Sequence, residues 1–333
     1  MFFIKKPDFT IKDTYPVCVS FVSDPIIKEY LESIQNEVEK YSNLYEQLAS
    51  SEKLNEFVVP DIFNEKFNSN NKWLTNLYKY YLSVKNNSKY AEAYKFYNSI
   101  KNYETYQKLT RCTYCNHTMV QALDHFLPES IFNALAVNPI NLIPTCDFCN
   151  EKKRTYTPSN LQPKSVLIHP YFDNVMNVDW LKVKIRIIHI FKVNPNIINN
   201  LKKLNFIYFG DFSMTNVVYL RSSKCSKKMI HTIFYVNNEV GSLNKLLFDR
   251  ISLTFDKTGL QTTFSFAADD FFQTEIIPNL EFGEYSDKSN EDLRFLFGMK
   301  AKILCNQGYN KNHWKIALYK FLSQYNCSFK DFY

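Results

Sequence analysis

The sequence predicts an α+β protein in three parts: a helical N-terminal domain over residues 1–105, a small cysteine-organised module over 106–172, and a mixed α/β C-terminal domain over 173–333. Three observations carry this reading. Between residues 27 and 100 apolar side chains recur every three or four positions, the period of one helix face. Two Cys-x-x-Cys pairs, Cys112/Cys115 and Cys146/Cys149, then bracket the centre of the chain. From residue 181 to 189 the period drops to two, as Val183, Ile185 and Ile187 alternate with Lys182, Lys184 and Arg186, the signature of a strand.

The N-terminal elements follow from local chemistry. Residues 1–22 show no period and read as extended or irregular. Ser23-Asp24-Pro25 is a helix start, a capping side chain ahead of a proline that fits the first turn. Ile27, Leu31, Ile34, Val38, Tyr41, Leu44 and Leu48 then form one stripe, predicting a single long helix. Trp73, Leu74, Leu77, Tyr81 and Val84 mark a second helix, and Tyr90, Tyr94, Tyr97 and Ile100 a third.

Beyond the central module, residues 206–209 and 216–220 read as further strands. Residues 251–255 and 261–266 read as a hairpin around Asp256-Lys-Thr-Gly259. Ser289-Asn-Glu-Asp292 is a capping-box start for a helix that Gly308 ends. Trp314, Leu318, Phe321 and Leu322 mark the last helix.

Composition narrows the function classes. With 333 residues, 45% hydrophobic and 22% charged, the chain is an ordinary globular one with ample length for a core. Its net charge is +7, but residues 178–230 alone carry ten Lys and Arg against Asp179 and Asp211. Such a basic region suits a polyanion such as nucleic acid, and equally a solvated face with no partner. The N-terminus has no apolar signal core, and no run of about 18 apolar residues is present to span a membrane. The expectation is a cytoplasmic protein without a membrane partner, whose cysteines bind metal rather than pair. Cys18, Cys225, Cys305 and Cys327 are scattered and read as core residues.

Two Cys-x-x-Cys knuckles complete a closed tetrahedral site of four sulfurs, so Cys112, Cys115, Cys146 and Cys149 are expected to hold a structural Zn2+. Asn116, directly after the first pair, is the best non-glycine residue for the left-handed backbone such a knuckle needs. His117 follows it and is not needed as a ligand.

Between and beside the knuckles stand Asp124-His125-x-x-Pro128, Asn141-Leu142 and Asn150, with Lys153 beyond. This set resembles the HNH (ββα-metal) endonucleases of the His-Asn-Asn type, over about a fifth of the chain. The resemblance implies a ββα-metal module in which Asp124 and Asn150 hold one Mg2+ or Mn2+. His125 is then the general base on water, and Asn141 orients its ring. It implies hydrolysis of phosphodiester bonds in nucleic acid, with DNA as the expected polymer. His169 would pack on or line the site. Lys152, Lys153, Arg154, Lys182, Lys184 and Arg186 are candidate phosphate contacts. Relatives with large extra domains are similar to nuclease components of bacterial phage-defence systems, which implies an ATPase or another defence-system protein as partner. Two alternatives stay open: a non-catalytic nucleic-acid-binding zinc module, and a toxin subunit active only with a partner ATPase. His189, His231 and His313 show no partner pattern and read as structural.

Overall fold

Thr10 opens the first helix. Its side chain accepts from the Lys12 backbone, and Asp13 accepts from Thr10 N–H at 2.7 Å, a capping box. Helix α1 (Ile11–Ser20) corrects the irregular segment expected here; Pro16 inside it disguises the helical pattern. The computed structural model describes residues 1, 3–64, 69–103, 110–159, 162–191 and 225–333. The strands expected at 206–209 and 216–220 lie outside the described residues.

Asp24 caps α2 (Pro25–Ser33) as its chemistry predicts. The stripe beyond it is two helices, because Ile34 (φ −95°, ψ 0°) breaks the run before α3 (Gln35–Ser50). The break turns the face: Tyr45 is fully buried while Leu44 is 43% exposed. Helix α4 (Lys72–Leu77) continues as a wider π turn over Tyr78–Leu82, and α5 (Ala91–Lys101) completes the N-terminal helices.

In the centre, β1 (Ala122–His125) and β2 (Leu142–Thr145) pair antiparallel, with Asp124 opposite Ile143 and His125 opposite Leu142. Helix α6 (Asp147–Lys153) follows at once, with Cys146 at its N-cap position. A second two-stranded sheet joins β3 (Leu181–Phe191) to β4 (Cys225–Val236), with Lys184 opposite Ile233 and Arg186 opposite His231. The predicted alternation holds in part: Val183 is buried and Lys184 and Arg186 are exposed, whereas Ile185, Ile187 and Lys182 are all half-buried.

The hairpin expected around Asp256 to Gly259 is instead a helix pair. After α7 (Asn238–Leu243), α8 (Lys245–Lys257) and α9 (Leu260–Phe271) meet at Gly259, whose φ is +66°. Ile251, Thr254, Phe255, Leu260 and Phe264 are buried at helical spacing; β-branched residues and a turn tetrapeptide carry a strand-like local signal that tertiary burial overrides. A π turn leads into α10 (Ile277–Glu281). Then α11 (Asn290–Asn306) starts at the Ser289/Asp292 capping box, and α12 (Trp314–Ser323) packs beside it. Cys18 is buried and Cys305 is half-buried against the core, but Cys327 is exposed, so Cys327 is not a core residue. The side chain of Cys225 lies outside those described.

One continuous hydrophobic core runs from the N-terminal helices through the central module to α12. Polar links reinforce it. Thr14 donates to the Val137 carbonyl at 2.7 Å, and Asn138 to Ser42 Oγ at 2.8 Å. The buried guanidinium of Arg250 donates to the Val166 and Leu167 carbonyls, and pairs with Asp173 and Glu52. The central module is therefore held from both sides. The result is a mixed α/β protein in which a cysteine cluster lies beside small sheets. No described helix is long and apolar enough to cross a membrane.

Candidate functional site

The four cysteines converge. Cys112, Cys115, Cys146 and Cys149 are all buried, and their sulfurs lie within 4.8 Å of one another. Cys115 Sγ and Cys146 Sγ are 4.0 Å apart. Tetrahedral Zn–S bonds of about 2.3 Å place sulfurs about 3.8 Å apart, so this spacing and the soft donor set fit zinc. The first knuckle is closed by the Asn116 N–H to the Cys112 carbonyl at 2.8 Å, and Asn116 takes the left-handed conformation expected of it, with φ 52°. The His117 N–H and Thr118 Oγ1 face Cys115 Sγ at 3.5 and 3.4 Å, as thiolate-stabilising dipoles should. Mutual hydrogen bonds hold the Cys115 and Cys146 thiols below the ordinary range, while burial raises Cys112 and bonding to the other three raises Cys149. Thr113 ties the knuckles together, its N–H and hydroxyl both donating to the Pro144 carbonyl.

Asp124 leaves β1 into a buried polar pair. Its Oδ1 accepts from Lys153 Nζ at 3.0 Å and its Oδ2 from the Tyr114 hydroxyl at 3.4 Å. Lys153 also donates to the His125 carbonyl at 2.7 Å. Burial raises the Asp124 carboxyl above its ordinary value, and Lys153 pulls the other way.

His125 Nε2 lies 2.8 Å from the Ala136 carbonyl and 3.4 Å from Glu129. A carbonyl only accepts, so Nε2 carries the proton and the lone pair sits on Nδ1. Burial lowers the ring's pKa to about 4, partly opposed by the Ala136 carbonyl. The Tyr78 ring meets the imidazole edge to face at 4.5 Å. The hydrogen bonds of the Asn141 side chain go to the backbone of the loop beyond His125. Its Oδ1 accepts from the Leu127 N–H at 2.8 Å and its Nδ2 donates to the Leu127 carbonyl at 3.0 Å. It thus fixes the loop that brings Ala136 to His125.

These contacts correct the resemblance to the HNH ββα-metal endonucleases. Among the described residues the set of His, Cys, Asp and Glu able to hold a metal is the four-cysteine cluster. Asp124, expected to share a cation with Asn150, is instead neutralised by a buried ammonium. Asn150 itself is half-buried in the middle of α6. Lys153, expected among exposed phosphate contacts, is only 2% exposed. Nothing local in the chain signals that pairing, because Lys153 reads as one more cation of a solvated helix end.

The other candidates are spread out. Lys152 and Arg154 are exposed at the end of α6. Lys182 pairs with Asp179 at 3.1 Å, which leaves Lys184 and Arg186 as the outward charges of β3. His169 is buried, lies tilted against the Phe126 ring at 4.1 Å between centroids and bonds the Tyr45 hydroxyl at 2.9 Å. It packs beside Phe126, the residue following His125. His231 pairs with Asp269, and buried His313 caps α12; the side chain of His189 lies outside those described. Sequence reasoning missed Glu129, Tyr78 and Tyr114, whose roles depend on contacts across the fold.

No family model matches the chain, and no solved structure matches it. It is 35% identical over 66 residues to Protein ea31 of Escherichia phage lambda, covering 19% of this chain and 21% of that protein. It is 33% identical over 72 residues to Septu protein PtuB of Bacillus thuringiensis, covering 20% of this chain and 26% of PtuB. The chain thus spans about a quarter or less of the length of these relatives.

Proposed function

We propose that the chain is a zinc-clamped module that binds nucleic acid, DNA first, within a phage-defence assembly, and does not cut it unaided. The observation that carries this reading is the contrast between two sites. The four-cysteine cluster is complete and buried, whereas the Asp124 carboxylate is closed by Lys153. An ammonium in that position repels a divalent cation and takes the oxygen it would need.

Binding is supported by the outer face of the β3–β4 sheet. Lys184 and Arg186 project from it, and Tyr235, 42% exposed, lies 6.0 Å from Lys184 Nζ. Cations interleaved with an open aromatic ring suit phosphates and a stacked base. The similarity to PtuB supports the assembly context.

The test is a gel shift with labelled duplex and single-stranded DNA across a salt series, paired with incubation in Mg2+ and Mn2+. Binding should weaken with salt, and the K184E/R186E variant should weaken it further and lower the log–log salt slope by about 2. Cleavage by the isolated chain, or a variant that binds like the wild type, would refute the reading.

A second reading is favoured by the His125 ring, which is neutral, oriented through Nε2 and carries its lone pair on Nδ1. A neutral imidazole of this kind suits a general base. In this reading the chain is a toxin subunit that hydrolyses phosphodiester bonds only when a partner ATPase displaces Lys153. Cleavage that appears only in the complex and vanishes with His125→Ala would select it.

A further inference from the structure

Helix α11 (Asn290–Asn306) has an apolar stripe on each of two opposite sides. One faces inward: Leu293, Phe297 and Ala301 are buried, and the Phe297 ring stacks on Tyr319 of α12 at 5.9 Å between centroids. The other faces out. Phe295, Met299 and Ile303, at steps of about one turn on the far side, are 72%, 39% and 47% exposed. A surface helix ordinarily sets charged residues opposite its core stripe. A single exposed apolar side chain needs no partner, but three on successive turns form a patch that asks for one.

The ends of the outer stripe carry opposite charges. Asp292 precedes Phe295 and Lys302 follows Met299, both exposed, and Lys302 forms no ion pair among the described residues. In the helix cap Asp292 accepts from Ser289 through Oδ2, which leaves Oδ1 for another partner. Positions 292, 295, 299 and 302 are three, four and three residues apart, the spacing by which a helix lays a seam against another helix. The set reads the same from either end. When two copies of α11 cross antiparallel with the dyad at position 297, Phe295 of each meets Met299 of the other, and Asp292 of each meets Lys302 of the other. A parallel crossing would oppose Asp292 to Asp292 and Lys302 to Lys302, so the charges select the antiparallel one. Phenylalanine against methionine is a favourable pairing of ring and thioether.

We propose that the outer face of α11 is a self-association surface whose occupant is α11 of a second copy of this chain. Its symmetry is two-fold and its contact isologous, so each interaction is made twice. Two Phe295–Met299 layers form the dry centre, Ile303 lies at their side, and an Asp292–Lys302 pair closes each end. An apolar centre and a charged rim are the ordinary anatomy of a protein interface. One helix from each copy supplies less area than a standard interface, so the dimer is reversible and its population follows concentration. No residue of the seam belongs to the β3–β4 sheet, so the inference stands apart from the nucleic-acid reading.

The test is sedimentation velocity of the zinc-loaded chain over a concentration series from about 1 to 200 μM. The sedimentation coefficient should rise with concentration from that of a monomer to that of a dimer. Phe295→Glu with Met299→Glu should weaken association by at least about tenfold, with zinc content and melting temperature kept because both side chains are exposed. The charge pairs are tested by mixing. Lys302→Glu places a carboxylate against Asp292 of the other copy, and Asp292→Lys places an ammonium against its Lys302. Each variant alone should therefore dimerise at least about tenfold more weakly than wild type. Mixed in equal amounts, the two variants offer an Asp–Lys and a Glu–Lys pair and should associate again. In Asp292→Lys the Ser289 hydroxyl still accepts from the backbone of residue 292, so the helix keeps that half of its cap, which circular dichroism checks. A chain that stays monomeric at the highest concentration, a dimer that the double glutamate substitution leaves intact, or a mixture no more associated than its parts would each overturn the proposal.

Discussion

Lys153 Nζ and Asp124 Oδ1 lie 3.0 Å apart with their side chains 0% and 5% exposed, an ion pair sealed between α6 and β1. A buried pair broken on one side leaves a charge without its partner, at a cost of about 3–5 kcal/mol. Lys153→Met should therefore lose stability of that order at neutral pH. Burial already raises the Asp124 carboxyl in the presence of Lys153. The folded state thus holds that proton more tightly than the unfolded one. Its contribution is greatest in acid and is lost as pH rises from the ordinary carboxylate value through the raised one. Removing the ammonium should enlarge this effect, so the variant should regain stability relative to wild type on acidification. Urea denaturation at neutral and acidic pH checks this, and the double variant D124N/K153M should recover most of the loss. An equal deficit at both pH values would contradict it.

His125 makes the opposite demand on pH. Its pKa falls from an ordinary 6.5 to about 4, so the folded state binds the proton less tightly than the unfolded. Its contribution is intact above about 6.5 and is lost as pH falls toward 4, a shift worth about 3 kcal/mol. Glu129, raised to about 6 by burial, and Asp124 act in the other direction. The clean measurement is a difference. His125→Gln keeps a donor for the Ala136 carbonyl and cannot titrate, so its stability should fall less steeply than wild type between pH 6.5 and 4. Proton NMR of the His125 ring should show a midpoint well below those of exposed histidines.

The parts legible in the sequence are those set by short-range chemistry. The Cys-x-x-Cys spacing, the left-handed Asn116, the Asp24 and Ser289 caps and the alternation in β3 each depend on a few neighbouring residues, and the structure has them, the alternation in part. What is illegible depends on distant partners. Asp124 next to His125 suggests a metal ligand until Lys153 comes back across 29 residues to occupy it. Ile251 to Phe266 looks like a hairpin until the wall of β4 demands a helix against it. Proline inside α1 hides a helix whose capping box is visible at Thr10 and Asp13.

The cysteine cluster gives a direct prediction about composition and folding. One zinc per chain should co-purify, measured by elemental analysis, and Cys112→Ser should abolish it. Because a structural zinc supplies about 10–16 kcal/mol to the fold that organises it, chelation should unfold the central module and expose the core that runs through it. Circular dichroism melts with and without a strong chelator would show this, and zinc should reverse it. A chain that purifies without metal and melts identically in chelator would remove the clamp from the account.

Gly259 tests the helix pair that replaced the expected hairpin. Its φ of +66° is left-handed, and a Cβ there would lie 2.9 Å from both Lys152 Cγ and Phe148 Cε1 on α6. Left-handed backbone costs a side-chain-bearing residue about 1–2 kcal/mol, so Gly259→Ala should lose about that much with further cost from the contact. G259A/K152A should regain only the Lys152 part of the contact, and retain the Phe148 contact and the conformational loss. Gly259→Asn should cost less than alanine at the backbone, since asparagine tolerates this region. Asn116, at φ 52° in the knuckle, is the internal control: Asn116→Gly carries no left-handed backbone penalty, so any loss there reports its buried side chain alone. Thermal melts of the four variants separate strain from contact. Alanine tolerated at 259 without loss would mean that α8 and α9 do not turn there through a left-handed residue.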